Sequence, residues 1–90
     1  MAKAVADPQE IRRFAQDLRK FNAELQGGMA TMNSRMGSLS QSWRDQEQAK
    51  FSEEFEATIK VLSRFVKASE VHIPFLMRKA DRLDEYLRQR

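Results

Sequence analysis

The stretch Ser40-Gln41-Ser42-Trp43-Arg44-Asp45-Gln46-Glu47-Gln48 decides the fold. It lies at the middle of a 90-residue chain, at the one strong break between two long apolar stripes. Upstream, Gly37-Ser38-Leu39-Ser40-Gln41-Ser42 is small and polar, and helix propensity falls. Asp45 can cap a new helix, Gln48 stands where the reciprocal partner of a capping box belongs, and Glu47 suits the positive end of the helix dipole. Trp43 sets a large aromatic beside this start. A turn of a few residues between long amphipathic helices forces them antiparallel. Trp43-Arg44-Asp45 therefore predicts the pinned corner of a helical hairpin.

Working back from the corner, apolar residues fall at Ile11, Phe14, Leu18, Phe21, Leu25, Met29, Met32, Met36, Leu39 and Trp43. Steps of three and four produce one face of an α-helix and exclude strand alternation. The start is marked by Asp7-Pro8-Gln9-Glu10, with Asp7 as cap, Pro8 at the first helical position and Glu10 as box partner. Leu18, Phe21, Leu25, Met32 and Leu39 are the expected hairpin-packing residues of this helix. Gly27 and Gly28 weaken it by about 1 kcal/mol each relative to alanine. The stripe continues on both sides, so the helix is read as unbroken. The doublet is either tolerated or admits the close approach of a neighbouring helix.

Working forward, Phe51, Phe55, Ile59, Leu62, Val66, Ser69, Ile73, Leu76, Ala80, Leu83 and Leu87 repeat the same period. Phe51, Phe55, Ile59, Leu62 and Val66 are the expected packing partners of the first helix. A second line flanks them, with Val61, Phe65, Ala68, His72 and Phe75 as the candidate dimer face. Two adjoining stripes are more than one antiparallel partner covers. Pro74 removes a backbone donor and crowds the preceding turn, which predicts a kink or a break near Val71 to Ile73. The expected architecture is all-α: one hairpin domain over residues 1–90, helix one about 8–40, the turn about 41–45 and helix two about 46–87. The uncovered flank predicts association into an antiparallel four-helix bundle.

Composition narrows the function. A short chain buries a modest share of its surface, and with no cysteine it has no disulfide to compensate. Acids and bases alternate, and the net charge is only +3, which describes solvated helix faces rather than a nucleic-acid surface. Arg78, Lys79, Arg82, Arg88 and Arg90 gather late in the chain, where cations suit the helix dipole. The Met1–Asp7 stretch lacks the apolar core of a secretory signal, and no apolar run approaches the roughly 20 residues that span a bilayer.

No catalytic constellation emerges. His72 is the sole histidine, and without cysteine or a second histidine it builds no metal site. Glu53, Glu54 and Glu56 crowd one region, but acid–base work needs a concave pocket, and a two-helix hairpin is expected to offer none. Glu56 with Lys60 and Asp84 with Arg88 stand one turn apart and read as solvated pairs. Gly27-Gly28 lacks the Lys-Ser/Thr of a phosphate cradle. No cofactor or metal is expected. Trp43 either plugs the mouth of the hairpin or lines a groove that meets a partner.

Length, Trp43 at the midpoint turn, Leu39 before it and Phe51 eight residues after it resemble the WXG family, roughly hundred-residue helical hairpins that are substrates of type VII (ESX-like) secretion. The resemblance covers nearly the whole chain. The usual Trp-x-Gly is here Trp43-Arg44-Asp45, and Asp caps a helix at least as well as Gly. The Tyr-x-x-x-Asp/Glu export signal of many members is absent in that form, since Tyr86 is followed four residues on by Arg90. Ala80, Asp84 and Leu87 only loosely echo the hydrophobic–acid–hydrophobic pattern of others. The resemblance implies a dimeric four-helix bundle and a secretion-associated role.

The expected function is accordingly non-enzymatic: a small secretion substrate or export adaptor acting through protein contacts. A homodimer is expected, with a heterodimer of related hairpins as the alternative, and a secretion ATPase or a larger effector as further partners. The chain is read either as secreted without an N-terminal signal peptide or as cytoplasmic. A cytoplasmic adaptor or scaffold is the rival function, and a membrane-active hairpin the third.

Overall fold

The computed structural model describes residues 6–89, and the chain forms two helices, α1 (Pro8–Ser42) and α2 (Gln46–Arg88). Met1–Val5 and Arg90, on which parts of the N-terminal and export-signal readings fall, lie outside the described residues. At about 1.5 Å per residue, the 43 residues of α2 span roughly 65 Å. The molecule is a rod of 68 × 19 × 17 Å with a radius of gyration of 20.3 Å. A compact domain of this length would have about 12 Å.

Local chemistry sets the ends. The Asp7 carboxylate accepts from the Gln9 amide at 2.9 Å. Glu10 does not reach back to complete a box; it pairs with Arg13, where a full opposite charge is on offer. At the corner the Asp45 carboxylate accepts from the Gln48 amide at 2.9 Å. The Gln48 side chain, expected to turn back on its own helix, instead donates from Nε2 to Ser40 Oγ at 2.9 Å. That bond ties the first turn of α2 to the last turn of α1. Arg44 Nε donates to the Gln41 carbonyl at 3.0 Å and the Trp43 amide to the Leu39 carbonyl at 2.9 Å, so two orphan acceptors of α1 are satisfied. Pro74 lies inside α2, which runs on to Arg88.

A strict seven-residue rhythm separates the seam from its flanks. Pro8, Ala15 and Asn22 are buried, and Met29, Met36 and Trp43, at the same spacing, are half-buried. Opposite them, Val66, Ile73 and Ala80 are buried, as is Ser69, which heads the neighbouring row. Ala15 and Ala80 are 0% exposed, and among the described residues no large side chain is fully enclosed. Small residues thus occupy the contact line toward the open end, and the aromatic rings stand beside it.

At that open end Arg12 clasps α2. Its Nη2 lies 2.7 Å from Asp81 Oδ1 and 2.5 Å from Asp84 Oδ2. These bonds, to Asp81 first and then to Asp84, raise the guanidinium above its ordinary value. Asp84, expected to serve Arg88 one turn on, is committed to the other helix instead. No ion pair joins Glu56 to Lys60 among the described residues. Around Gly27 and Gly28 nothing stands within 4 Å of where a Cβ would sit, so within the hairpin no helix makes the close approach that the doublet could admit.

Candidate interaction surface

The rings that the seam leaves outside gather on one flank. Phe14 and Phe21 of α1 and Phe65 and Phe75 of α2 are all exposed, and Phe21 meets Phe65 edge to face, centroids 6.0 Å apart. On the open-end side of that pair, Phe14, Leu18, Phe65, His72, Phe75 and Leu76 line a groove of about 390 Å³. On the corner side, Met32, Met36, Leu39, Phe51 and Phe55 line a smaller one of about 150 Å³, with Arg35 at its rim. The Phe21–Phe65 pair bridges the two, so the apolar flank runs most of the length of the rod.

The residues expected to pack the hairpin divide between seam and flank. Val66 is buried. Leu18, Leu25, Phe55, Ile59 and Leu62 are half-buried, while Phe21, Met32, Leu39 and Phe51 remain exposed. All five candidate dimer-face residues, Val61, Phe65, Ala68, His72 and Phe75, are exposed. Their common flank gives them one neighbourhood, and four of the exposed packing residues border it.

Trp43 is half-buried and stacks obliquely on Phe51, centroids 5.9 Å apart, and Phe51 in turn on Phe55 at 6.2 Å. Three aromatic rings therefore run from the corner up α2. Arg44 holds the end of α1 and Asp45 the start of α2, so each member of the Trp43-Arg44-Asp45 motif has a separate task at the turn.

The exposed area has a scale. The hairpin presents 7322 Å² to solvent, against roughly 5,400 Å² for a compact monomer of 10.5 kDa. The excess is about 1,900 Å² per chain, or about 3,800 Å² for two chains, which falls in the range of permanent dimer interfaces.

The sequence reading missed Ala15 and Asn22, because neither is a large apolar residue. Their seven-residue spacing from Pro8 to Trp43 was the available signal. It also expected no concavity, whereas the described residues form shallow grooves on both sides of the seam. Among those residues, no group of three or more His, Cys, Asp or Glu side chains could hold a metal ion, and no helix is long and apolar enough to cross a membrane.

An aromatic-marked corner between two long amphipathic helices is the pattern that the family model for WXG100, proteins of 100 residues with WXG, matches over residues 5–86. The chain belongs to the WXG100 family. Within it, this protein carries Asp45 where the family's name has glycine. Solved structures agree along nearly the whole rod. The secreted protein EsxB of Bacillus anthracis str. Sterne is 26% identical, with a TM-score of 0.76, over 93% of this chain and 97% of EsxB. A proline-to-alanine variant of EsxB is 26% identical with a TM-score of 0.79, over 94% and 96% of the two chains. No curated protein sequence matches the chain significantly. The all-α hairpin expected from the corner stretch is thus the fold of this WXG100 protein, and its structural neighbours are described as secreted.

Proposed function

We propose that this WXG100 protein is a type VII (ESX-like) secretion substrate or export adaptor that works as a folded homodimer. The observation that carries the reading is its likeness, over nearly the full length of both chains, to a protein described as secreted. The aromatic flank supplies the physical means. Two hairpins laid flank to flank form a four-helix bundle that removes the open rings from water. The role rests on protein contacts and not on catalysis. The contacts of Trp43, Phe51 and Phe55 stiffen the corner, leaving the bundle ends as rigid features for an export ATPase or a larger effector to read.

The test follows tagged protein in the native host with and without the type VII export ATPase. ATPase-dependent appearance in the medium is the expected result. Equal release from both strains, or retention in the cytoplasm of both, overturns export and leaves the adaptor reading in its place.

A further inference from the structure

Gly27-Gly28 has no task inside the hairpin. Both residues are exposed, and nothing stands within 4 Å of where a Cβ would sit on either. Glycine weakens a helix, and no packing within the hairpin offsets that loss. The two differ in phase. Gly28 follows Phe14 and Phe21 at the seven-residue step that leads on to Arg35, so it belongs to the aromatic flank. Gly27 lies about 100° round the helix from it. On α2 the matching line runs from His72 through Phe65 and Thr58 to Phe51. Phe21 meets Phe65 on one side of this level, and Arg35 and Phe51 line one groove on the other. The helices are antiparallel, so one heptad up α1 keeps step with one heptad down α2, and Gly28 and Thr58 share the level between those contacts. Thr58 is exposed, and its hydroxyl donates to the Glu54 carbonyl at 3.0 Å, which leaves that donor satisfied. The row of rings therefore has an open gap at Gly28 and Thr58, beside the Phe21–Phe65 pair.

We propose, on the footing of the homodimer reading, that this gap is a socket for Phe75 of a second copy laid antiparallel, and that each copy fills the other's socket. Flank-to-flank burial is greatest when the two rods overlap fully, which puts the two-fold axis at the middle of α2, at Lys67. Thr58 lies nine residues from Lys67 toward the corner, and Phe75 eight residues toward the open end. The axis thus carries the partner's Phe75 to within one residue, about 1.5 Å along the rod, of the level of Thr58. Phe14, level with His72, lands four residues away, about 6 Å. Phe75 is 52% exposed and lines the larger groove of the same flank, so its ring is free to enter. A parallel pair, with its axis along the rods, sets rings against rings and gap against gap, which crowds one level and leaves a void at another. The antiparallel pair sets ring against gap twice.

The experiment cross-links the full-length chain, which has no cysteine of its own, with a short bis-maleimide. In the chain carrying both Thr58→Cys and Phe75→Cys the two thiols are about 25 Å apart within one hairpin, out of reach, but adjacent between antiparallel copies. That double variant should give a covalent dimer. Each single variant should stay uncoupled, because the axis holds like residues about 24 Å apart or more. Gly28→Leu should keep the helix content and weaken the dimer at least about tenfold, since the socket is then full; Gly27→Leu, off the ring line, should leave the dimer unchanged. Sedimentation of the wild type separates the two readings. A monomeric wild type removes the homodimer and this socket together. A dimeric wild type whose double variant fails to couple, whose single variants couple equally well, or whose Gly28→Leu dimer is as tight as before overturns the socket and leaves the homodimer standing.

Discussion

Replacing Phe75 with alanine probes the apolar flank at its larger groove. The residue is 52% exposed in the hairpin. A phenylalanine side chain carries roughly 200 Å², so about 100 Å² of ring awaits cover. At about 25 cal/mol per Å², covering it contributes about 2.5 kcal/mol. A two-fold dimer contains the contact twice, which gives about 5 kcal/mol at full burial. Alanine keeps part of that area, and the expected loss is about 4 kcal/mol, roughly a thousandfold in the dimer dissociation constant. Phe75 lies outside the buried seam, so the hairpin itself should hold its helix content. Dilution calorimetry reads the dissociation constant, and far-ultraviolet circular dichroism reads the helix. A variant that dimerises within about threefold of the wild type would refute the assignment of this flank as the interface.

Further substitutions address the hairpin. Gly27→Ala should stabilise the chain by about 1 kcal/mol, because helix propensity rises and the added Cβ meets nothing; thermal unfolding at fixed concentration reads the gain. Asp45→Ala should cost about 1 kcal/mol and Asp45→Gly only a few tenths, since the cap bond to the Gln48 amide is lost in both but glycine keeps a favourable cap backbone; urea unfolding ranks the pair. Arg12→Leu should lower the melting temperature and speed amide exchange from Asp81 to Arg88, because the clasp to both aspartates is gone. The guanidinium is raised above its ordinary value in the fold, so its contribution is complete below that value and fades only as pH climbs through the higher one. The wild-type advantage over Arg12→Leu should therefore persist from neutral pH to about pH 10.

Periodicity made the two helices and their corner legible, because steps of three and four leave an unambiguous trace over long stretches. Asp7 and Asp45 were legible as caps for the same local reason. The partition of the stripe into seam and flank was not. Phe14 and Phe21 sit within one helical step of Leu18 and Leu25, and only the register of the opposite helix decides which of them turns inward. Small residues won the inner line: Ala15, Ser69 and Ala80 are all buried, and the rings are left outside. Gln48 shows the limit at a finer scale. A capping box and a bond across the corner compete for the same amide, and the position of Ser40 tips the choice. The second apolar line on α2 is left exposed by the hairpin. Asn22 announced nothing, since it comes near Ile73 and Pro74 only where the two helices meet.

Cover of the aromatic flank by a second copy of the chain has a direct signature in particle mass. Sedimentation equilibrium of the pure, tag-free protein tests it most directly. The expected particle has twice the 10.5 kDa chain mass at micromolar concentration and dissociates on dilution. A fully helical, stable particle of 10.5 kDa throughout that range would contradict the account.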